Sequence, residues 1–136
     1  MNGPMAERRA ACVALACRIY QSRLDRTLFF RHSIFGDAGW DTLLAVYVFA
    51  SSGRTLSAGE LCNATTETSP TSALRMQRRL VDLGLLRRVE HRTDRRRILI
   101  ELTEHGQDLL EKYLDHLLDQ HFVAHPLTEE EIPELR

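Results

Sequence analysis

Residues 89–106 read VEHRTDRRRILIELTEHG, and they contain a dense group of positive charges. Four arginines fall within six positions of this stretch: Arg92, Arg95, Arg96 and Arg97. The runs LLRRVE and RRILIELT on either side of the turn HRTD are rich in β-forming residues. Val89 and the alternating Ile98, Ile100 and Leu102 are expected to form one apolar face. The stretch therefore predicts a β-hairpin with a basic tip.

The positive charge is concentrated in one part of the chain. Residues 75–97 hold nine Arg and three acidic residues, a net charge of +6, whereas the whole 136-residue chain has a formal net charge of −1. A basic segment in an otherwise acidic chain is typical of a protein that repels polyanions except at one face. Arg also suits bidentate recognition of phosphate and guanine better than Lys does. The alternative is a hairpin edge charged only for solubility, which does not account for the basic helix before it.

Two short helices with clear start signals precede the hairpin. Ser57 and Glu60 match an S-x-x-E capping box, in which each side chain satisfies a free backbone N–H at the helix start. Ser69 and Pro70 supply an N-cap and a proline at the first helical position, and Gly84 is a natural stop. Two helices joined by a tight polar turn predict a helix-turn-helix.

The helix that begins at Ser69 has two different sides. With a rotation of about 100° per residue, its packing side consists of Ala73, Met76, Gln77, Leu80 and Leu83. The other side combines short hydroxyls, which permit close approach to base edges, with arginines that can reach guanine or phosphate. We predict that this side contacts DNA through Ser69, Thr71, Ser72, Arg75, Arg78 and Arg79. A solvent-exposed helix face has a similar composition, so composition alone leaves both interpretations open.

The basic hairpin has the position of a wing. A hairpin that follows a recognition helix can insert its tip into the minor groove, where narrow A·T-rich segments attract Arg. We therefore predict that the four arginines of the opening stretch contact DNA from the wing: Arg92, Arg95, Arg96 and Arg97.

Three further helices are predicted from apolar periodicity. One covers about residues 5–30, with a potential break near Asp25; a second covers 40–50; a third covers 103–122. The first and third carry apolar stripes wider than one small core can cover, so a second subunit is expected to bury them. The predicted dimerisation residues are Val13, Cys17, Tyr20, Leu110, Leu114 and Leu117.

The segment from Trp40 to Leu118 resembles the MarR-type winged-helix transcription regulators. The resemblance is carried by LVDLGLLRR at 80–88 and by DRRRILIELTEHG at 94–106. In that family a leucine and a glycine end the recognition helix, an Asp-Arg-Arg precedes a strand, and a Leu-Thr-x-x-Gly opens the next helix. The matching residues here are Asp94, Arg95 and Arg96, followed by Leu102, Thr103 and Gly106.

The resemblance implies a mainly α fold with a small β-hairpin wing, a winged helix-turn-helix that dimerises through its N- and C-terminal helices. It also implies that Asp94 pairs with an arginine and stiffens the wing, while Arg92 or Arg95 reaches DNA. Such regulators often have a cleft for a small-molecule effector. The expected organisation is one MarR-like domain over residues 1–136, with dimerisation helices in 1–35 and 103–136 around a winged-helix lobe at 40–102.

Other classes of protein are poorly supported. The chain has no apolar run of the roughly 20 residues needed to span a bilayer, and its three cysteines lack a disulfide or zinc spacing, so a cytoplasmic protein is expected. It has no phosphate-binding glycine loop, G-x-S-x-G or H-E-x-x-H, so we expect neither an enzyme nor a cofactor. His121 and His125 lie four apart, but Pro126 and the lack of nearby carboxylate or Cys ligands argue against a metal site.

Two functional hypotheses remain. The first is a homodimeric, sequence-specific regulator of transcription that binds double-stranded DNA, with the recognition helix in the major groove and the wing in the minor groove. The second is a protein–protein adaptor that uses a winged-helix scaffold without reading DNA, since a fold does not fix a function.

Overall fold

The structure is a computed structural model that describes residues 3–30, 36–65 and 69–120. Seven elements follow one another along the chain: α1 (Pro4–Phe29), α2 (Asp37–Ser51), α3 (Ala58–Asn63), α4 (Pro70–Asp82), β1 (Leu86–Glu90), β2 (Ile98–Leu102) and α5 (Glu104–Gln120). The two strands form one antiparallel sheet. The predicted mainly α fold with a β-hairpin is therefore confirmed. None of the helices in these ranges combines the length and apolar character that crossing a membrane requires.

The element boundaries differ from the predictions in three places. Helix α1 continues without a break through Asp25, and α2 begins at Asp37 rather than at Trp40. Helix α4 ends at Asp82, two residues before Gly84, whose φ of 76° makes the left-handed turn into the hairpin. The predicted end of the last helix at Phe122 lies outside the described residues.

The described residues form two compact units. One contains α1 and the part of α5 from Leu110 onward, and the other contains residues 36–109. In the first unit, the hydroxyl of Tyr113 donates a hydrogen bond of 2.7 Å to the Ser22 carbonyl oxygen. Phe29 packs against the Tyr113 ring with centroids 5.6 Å apart. Because Tyr113 is 3% exposed, burial raises the pKa of its phenol.

The second unit has a small apolar core to which most of its elements contribute. Its fully buried side chains include Leu43, Leu56, Leu61, Leu80, Leu86 and Ile100. Gln77 is buried among them, and its amide nitrogen donates a hydrogen bond of 3.0 Å to the Ala58 carbonyl oxygen. This bond joins α4 to the start of α3 and so fixes the two helices of the helix-turn-helix relative to each other.

The hairpin register separates the residues of each strand onto two faces. Leu86 pairs with Leu102, Arg88 with Ile100, and Glu90 with Ile98, so these residues share one face. The opposite face has the pairs Arg87 with Glu101 and Val89 with Leu99. Our assignment of Val89 to the face of Ile98, Ile100 and Leu102 was therefore wrong, because strand alternation places it on the other side.

The junction between the hairpin and α5 explains the Leu-Thr-x-x-Gly motif. The Thr103 hydroxyl donates a hydrogen bond to the Gly84 carbonyl oxygen and accepts one of 2.9 Å from the Gly106 backbone N–H. Gly106 is buried, and a Cβ atom at this position would overlap the backbone carbonyl group of Leu85. The glycine is needed because the start of α5 lies directly against the chain that enters β1.

Candidate nucleic-acid interface

Helix α4 presents the predicted basic side to solvent. Thr71, Arg75, Arg78 and Arg79 are all exposed, whereas Ala73, Gln77 and Leu80 on the other side are buried. The helix is strongly amphipathic because its apolar residues recur at the helical period. Among the described residues, no carboxylate is paired with Arg75, Arg78 or Arg79. The guanidinium groups of this face therefore remain available to an external anion.

The start of α4 is a capped helix end. The Ser69 hydroxyl accepts a hydrogen bond of 3.4 Å from the Ser72 backbone N–H, and Pro70 occupies the first turn. Both serines are half-buried. Ser69 thus has a structural role as the cap in addition to its predicted place at the DNA face, while Thr71 in the first turn is exposed.

The tip of the wing is organised around Asp94 and His91. An Asp94 carboxylate oxygen accepts hydrogen bonds from the Arg96 backbone N–H at 3.1 Å and from Arg96 Nε at 3.2 Å. The Arg96 side chain and backbone donors hold the pKa of Asp94 below its ordinary value. His91 Nδ1 accepts from the backbone N–H of Asp94 at 3.1 Å. Asp94 therefore pairs with an arginine of the wing, as the resemblance implied, and the partner is Arg96.

Arg92 and Arg95 differ from the other two wing arginines. Both are exposed, and among the described residues neither is paired with a carboxylate. Arg97 instead donates a hydrogen bond of 3.0 Å to Glu60 Oε1, and Arg54 lies 2.6 Å from Glu60 Oε2. The sequence prediction placed Arg97 among the DNA contacts and did not identify this pair.

Glu60 connects three segments through one carboxylate. It completes the predicted capping box, because Glu60 Oε1 accepts from the Ser57 backbone N–H at 3.1 Å and the Ser57 hydroxyl accepts from the Glu60 N–H at 3.2 Å. The Ser57 N–H is the main cause that lowers the pKa of Glu60, and Arg54 adds to it. Through Arg97, the same carboxylate anchors the base of the wing to α3.

A cleft between α4 and the wing collects further arginines. It has a volume of about 310 Å³, and four arginine side chains contribute to its lining: those of Arg78, Arg88, Arg96 and Arg97. We refer to it as the basic cleft. Arg88 was not among the predicted contact residues: the prediction assigned its neighbour Val89 to the face of Ile98 and Ile100, whereas the observed register places Arg88 there.

The predicted dimerisation residues fall into three groups. Val13, Cys17 and Tyr20 are exposed along α1, and Val13 and Tyr20 retain 63% and 64% of their surface. Leu114 and Leu117 on α5 are half-buried. Leu110 is completely buried within its own chain, so it has no surface to offer a partner, and we correct its assignment to a core residue. The α1 stripe continues through Leu24 and Leu28, which are also exposed.

The cysteines and acidic side chains show no arrangement suited to a metal ion. Within residues 3–30, 36–65 and 69–120, no group of three His, Cys, Asp or Glu side chains is placed to hold one. Cys12 and Cys17 are exposed free thiols, and burial raises the pKa of the half-buried Cys62 thiol. The His121 and His125 pair lies outside the described residues.

The comparisons with known proteins identify the family. The family model for the ArnR1-like, winged-helix domain matches residues 29–119. The chain therefore belongs to the family of ArnR1-like winged-helix domains. No curated protein sequence matches it.

Solved structures share the fold at low sequence identity. Rv1404 from Mycobacterium tuberculosis superposes with a TM-score of 0.70 at 21% identity, over 88% of this chain and 77% of that one. AbsC, a MarR family transcriptional regulator from Streptomyces coelicolor, has a TM-score of 0.59 at 22% identity, over 88% and 78%. MepR from Staphylococcus aureus, solved in complex with DNA, has a TM-score of 0.60 at 23% identity, over 77% and 79%. The fold is that of the MarR family regulators, which confirms the resemblance read from the sequence.

Proposed function

We propose that the protein is a transcription regulator that binds double-stranded DNA in a sequence-specific manner as a homodimer in the cytoplasm. The observation that carries this proposal is the exposed side of α4, where Arg75, Arg78 and Arg79 lack acidic partners among the described residues and lie beside a basic wing. The fold supports the proposal, because MepR has the same fold and was solved bound to DNA.

The two basic elements have different tasks in this proposal. Helix α4 enters the major groove, where Thr71 and Arg75 meet base edges and each base pair presents a distinct pattern of donors and acceptors. The wing enters the adjacent minor groove with Arg92 and Arg95, which have no acidic partner among the described residues. Asp94 and Arg96 keep the tip in one conformation, so less entropy is lost when it binds.

The dimer in this proposal uses the exposed stripe of α1 with α5. Contiguous exposed apolar side chains on a helix typically mark an interaction surface. A two-fold dimer would present two α4 helices about 34 Å apart, one turn of B-DNA, and would therefore recognise an inverted repeat. A small-molecule effector is a further proposal carried over from the resemblance, without a defined ligand chemistry.

Salt dependence separates DNA binding from the adaptor hypothesis. Affinity for a duplex carrying the preferred site should fall with salt along a log–log slope near −0.9 per phosphate neutralised, or about −7 for a dimer that contacts about eight phosphates. Fluorescence anisotropy with a labelled duplex between about 50 and 300 mM salt measures this slope. Absence of duplex binding at about 50 mM salt would contradict the proposal and favour the adaptor.

The recognition helix and the wing should respond differently to loss of one arginine. Arg75→Ala is expected to relax the preference at one position in each half-site, because a bidentate contact to guanine discriminates by about 1–3 kcal/mol. Arg95→Ala is expected to weaken all sites more evenly and to affect only an A·T preference at the flanks.

Binding-site selection on both variants at one salt concentration tests this difference. Unchanged base preferences in Arg75→Ala, or wild-type binding by Arg95→Ala, would show that the groove assignment is wrong even if the protein binds DNA. Asp82→Ala is a suitable control, because Asp82 lies on the same exposed side of α4 beyond the arginines.

A further inference from the structure

The basic cleft joins the two elements that we assign to different grooves. Its walls come from the start of α3, from α4 and from both strands of the hairpin. Arg78 extends from α4, and Arg88 extends from β1 on the face of Ile98 and Ile100. Arg96 lines it from the tip of the wing and Arg97 from the base of the wing. Four arginine residues, from α4, from β1 and from the connection between the two strands, thus line one cavity.

The charges in this cleft are only partly compensated. Arg96 is paired with Asp94 at 3.2 Å, and Arg97 is paired with Glu60 at 3.0 Å. Within the described part of the chain, Arg78 and Arg88 have no acidic partner. Both side chains are exposed and can therefore reach an external anion. Like charges repel at short range, and an anion placed between them relieves that repulsion and gains several charge-assisted hydrogen bonds. The cleft therefore has the charge of an anion site.

The lining also has an apolar part. Leu74, which is 44% exposed on α4, and Ile98 on β2 both border the cavity. A free inorganic anion would gain nothing from these side chains. A phosphodiester would gain contacts, because each of its phosphates is flanked by the carbon atoms of two sugars. The combination of guanidinium groups with Leu74 and Ile98 fits a phosphate within a nucleic-acid backbone.

The position of the cleft agrees with this ligand. Neighbouring major and minor grooves of a duplex are separated by one sugar–phosphate strand. A protein that places α4 in one groove and its wing in the next must therefore cross that strand, and the basic cleft lies between these two elements. We propose that the basic cleft binds one phosphodiester group of the DNA backbone and that Arg88 is a phosphate-binding residue. This inference rests on the proposed function and adds to it a contact that does not read bases.

Arg87 provides a matched control for Arg88. The two residues are adjacent on β1, carry the same charge and are both exposed. Arg87 lies on the opposite face of the strand, where its guanidinium is 2.6 Å from Glu101. Arg87→Gln and Arg88→Gln change the net charge equally, so long-range electrostatic attraction to DNA falls by a similar amount in both. Only Arg88→Gln removes a group from the basic cleft.

The experiment compares salt titrations of the two variants with those of the wild-type protein on one duplex. Arg88→Gln is expected to bind about tenfold or more weakly, because hydrogen bonds to charged groups are the stronger class. The log–log slope should become shallower by about 2 for a dimer, one phosphate in each subunit. Arg87→Gln should retain the wild-type slope. Arg88→Lys, which keeps the charge and loses the planar donor geometry, should restore the slope and only part of the affinity.

The results distinguish this inference from the proposed function. Duplex binding by the wild-type protein with equal slopes for Arg87→Gln and Arg88→Gln would overturn the phosphodiester pocket and leave the regulator proposal intact. A changed base preference for Arg88→Gln in binding-site selection would also overturn it, because it would place Arg88 against a base. Lack of duplex binding by the wild-type protein would overturn both proposals. A shallower slope for Arg88→Gln alone, with unchanged base preference, supports the pocket.

Discussion

Replacement of Gly106 by alanine is expected to lower the free energy of unfolding by about 3 kcal/mol, the upper part of the range for overpacking. The added Cβ would overlap the backbone oxygen, carbon and Cα of Leu85. The Leu85 backbone cannot change its position as easily as a flexible side chain changes its rotamer, so the start of α5 has to move. That movement would also weaken the hydrogen bonds of Thr103 to Gly84 and Gly106. Urea denaturation followed by circular dichroism measures the change.

Gly59→Ala is the control for this substitution. Gly59 lies in α3 with an ordinary helical backbone, and a Cβ there meets no atom within 4 Å. Alanine at this position should raise the free energy of unfolding by about 0.5–1 kcal/mol, because glycine is a poor helix former. Both variants are compared at one protein concentration, since dimer stability depends on it. Equal stabilities for Gly106→Ala and the wild-type protein would show that α5 does not contact Leu85 as described.

The double substitution of Val13 and Tyr20 by Glu is expected to weaken dimerisation by at least about 10³-fold, since burial of each large apolar side chain contributes about 1.5–3 kcal/mol. In a two-fold interface each substitution acts twice. Both residues are more than three-fifths exposed within one chain, so the change should leave the fold of the protomer intact. These positions are better than the half-buried Leu114 and Leu117, whose substitution would also disturb the protomer. Sedimentation equilibrium measures the dissociation constant.

Ala50→Glu with Asn63→Glu controls for added charge. Both positions are exposed, and both lie in the unit that contains α2 and α3. This variant introduces the same two acids without altering the α1 stripe, and its dissociation constant should equal that of the wild-type protein. A folded Val13→Glu and Tyr20→Glu variant that remains a dimer at the wild-type dissociation constant would place the interface on another surface.

Features controlled by neighbouring residues could be predicted from the sequence. The capping box of Ser57 and Glu60, the cap at Ser69 and the two sides of α4 depend on contacts between residues three or four positions apart. Such contacts are set by helix geometry and need no knowledge of the rest of the chain. The hairpin was predictable for a similar reason, because only the seven residues 91–97 separate its two strands.

Features controlled by distant residues could not be predicted in this way. Arg97 and Glu60 are 37 positions apart, and nothing in either local sequence indicates that they form a pair. Arg88 shares a strand face with Leu86 and Ile100, but the prediction placed Val89 on that face, because the pairing register of the two strands is not fixed by the sequence of either strand alone. Leu110 and its neighbours on α5 have equivalent places in an apolar stripe, and only packing decides which of them is fully buried.

The pairing of Arg97 with Glu60 at the base of the wing has a consequence for how such proteins diverge. The strands are held in place below the tip by this ion pair and by the hydrogen bond of 3.1 Å from the His91 N–H to the Arg97 carbonyl oxygen. Residues 92–96 lie beyond both connections. Substitutions or insertions among them can therefore accumulate during evolution without shifting the strands, and proteins built on this scaffold can change the affinity and the A·T preference of the tip while the frame below it stays the same.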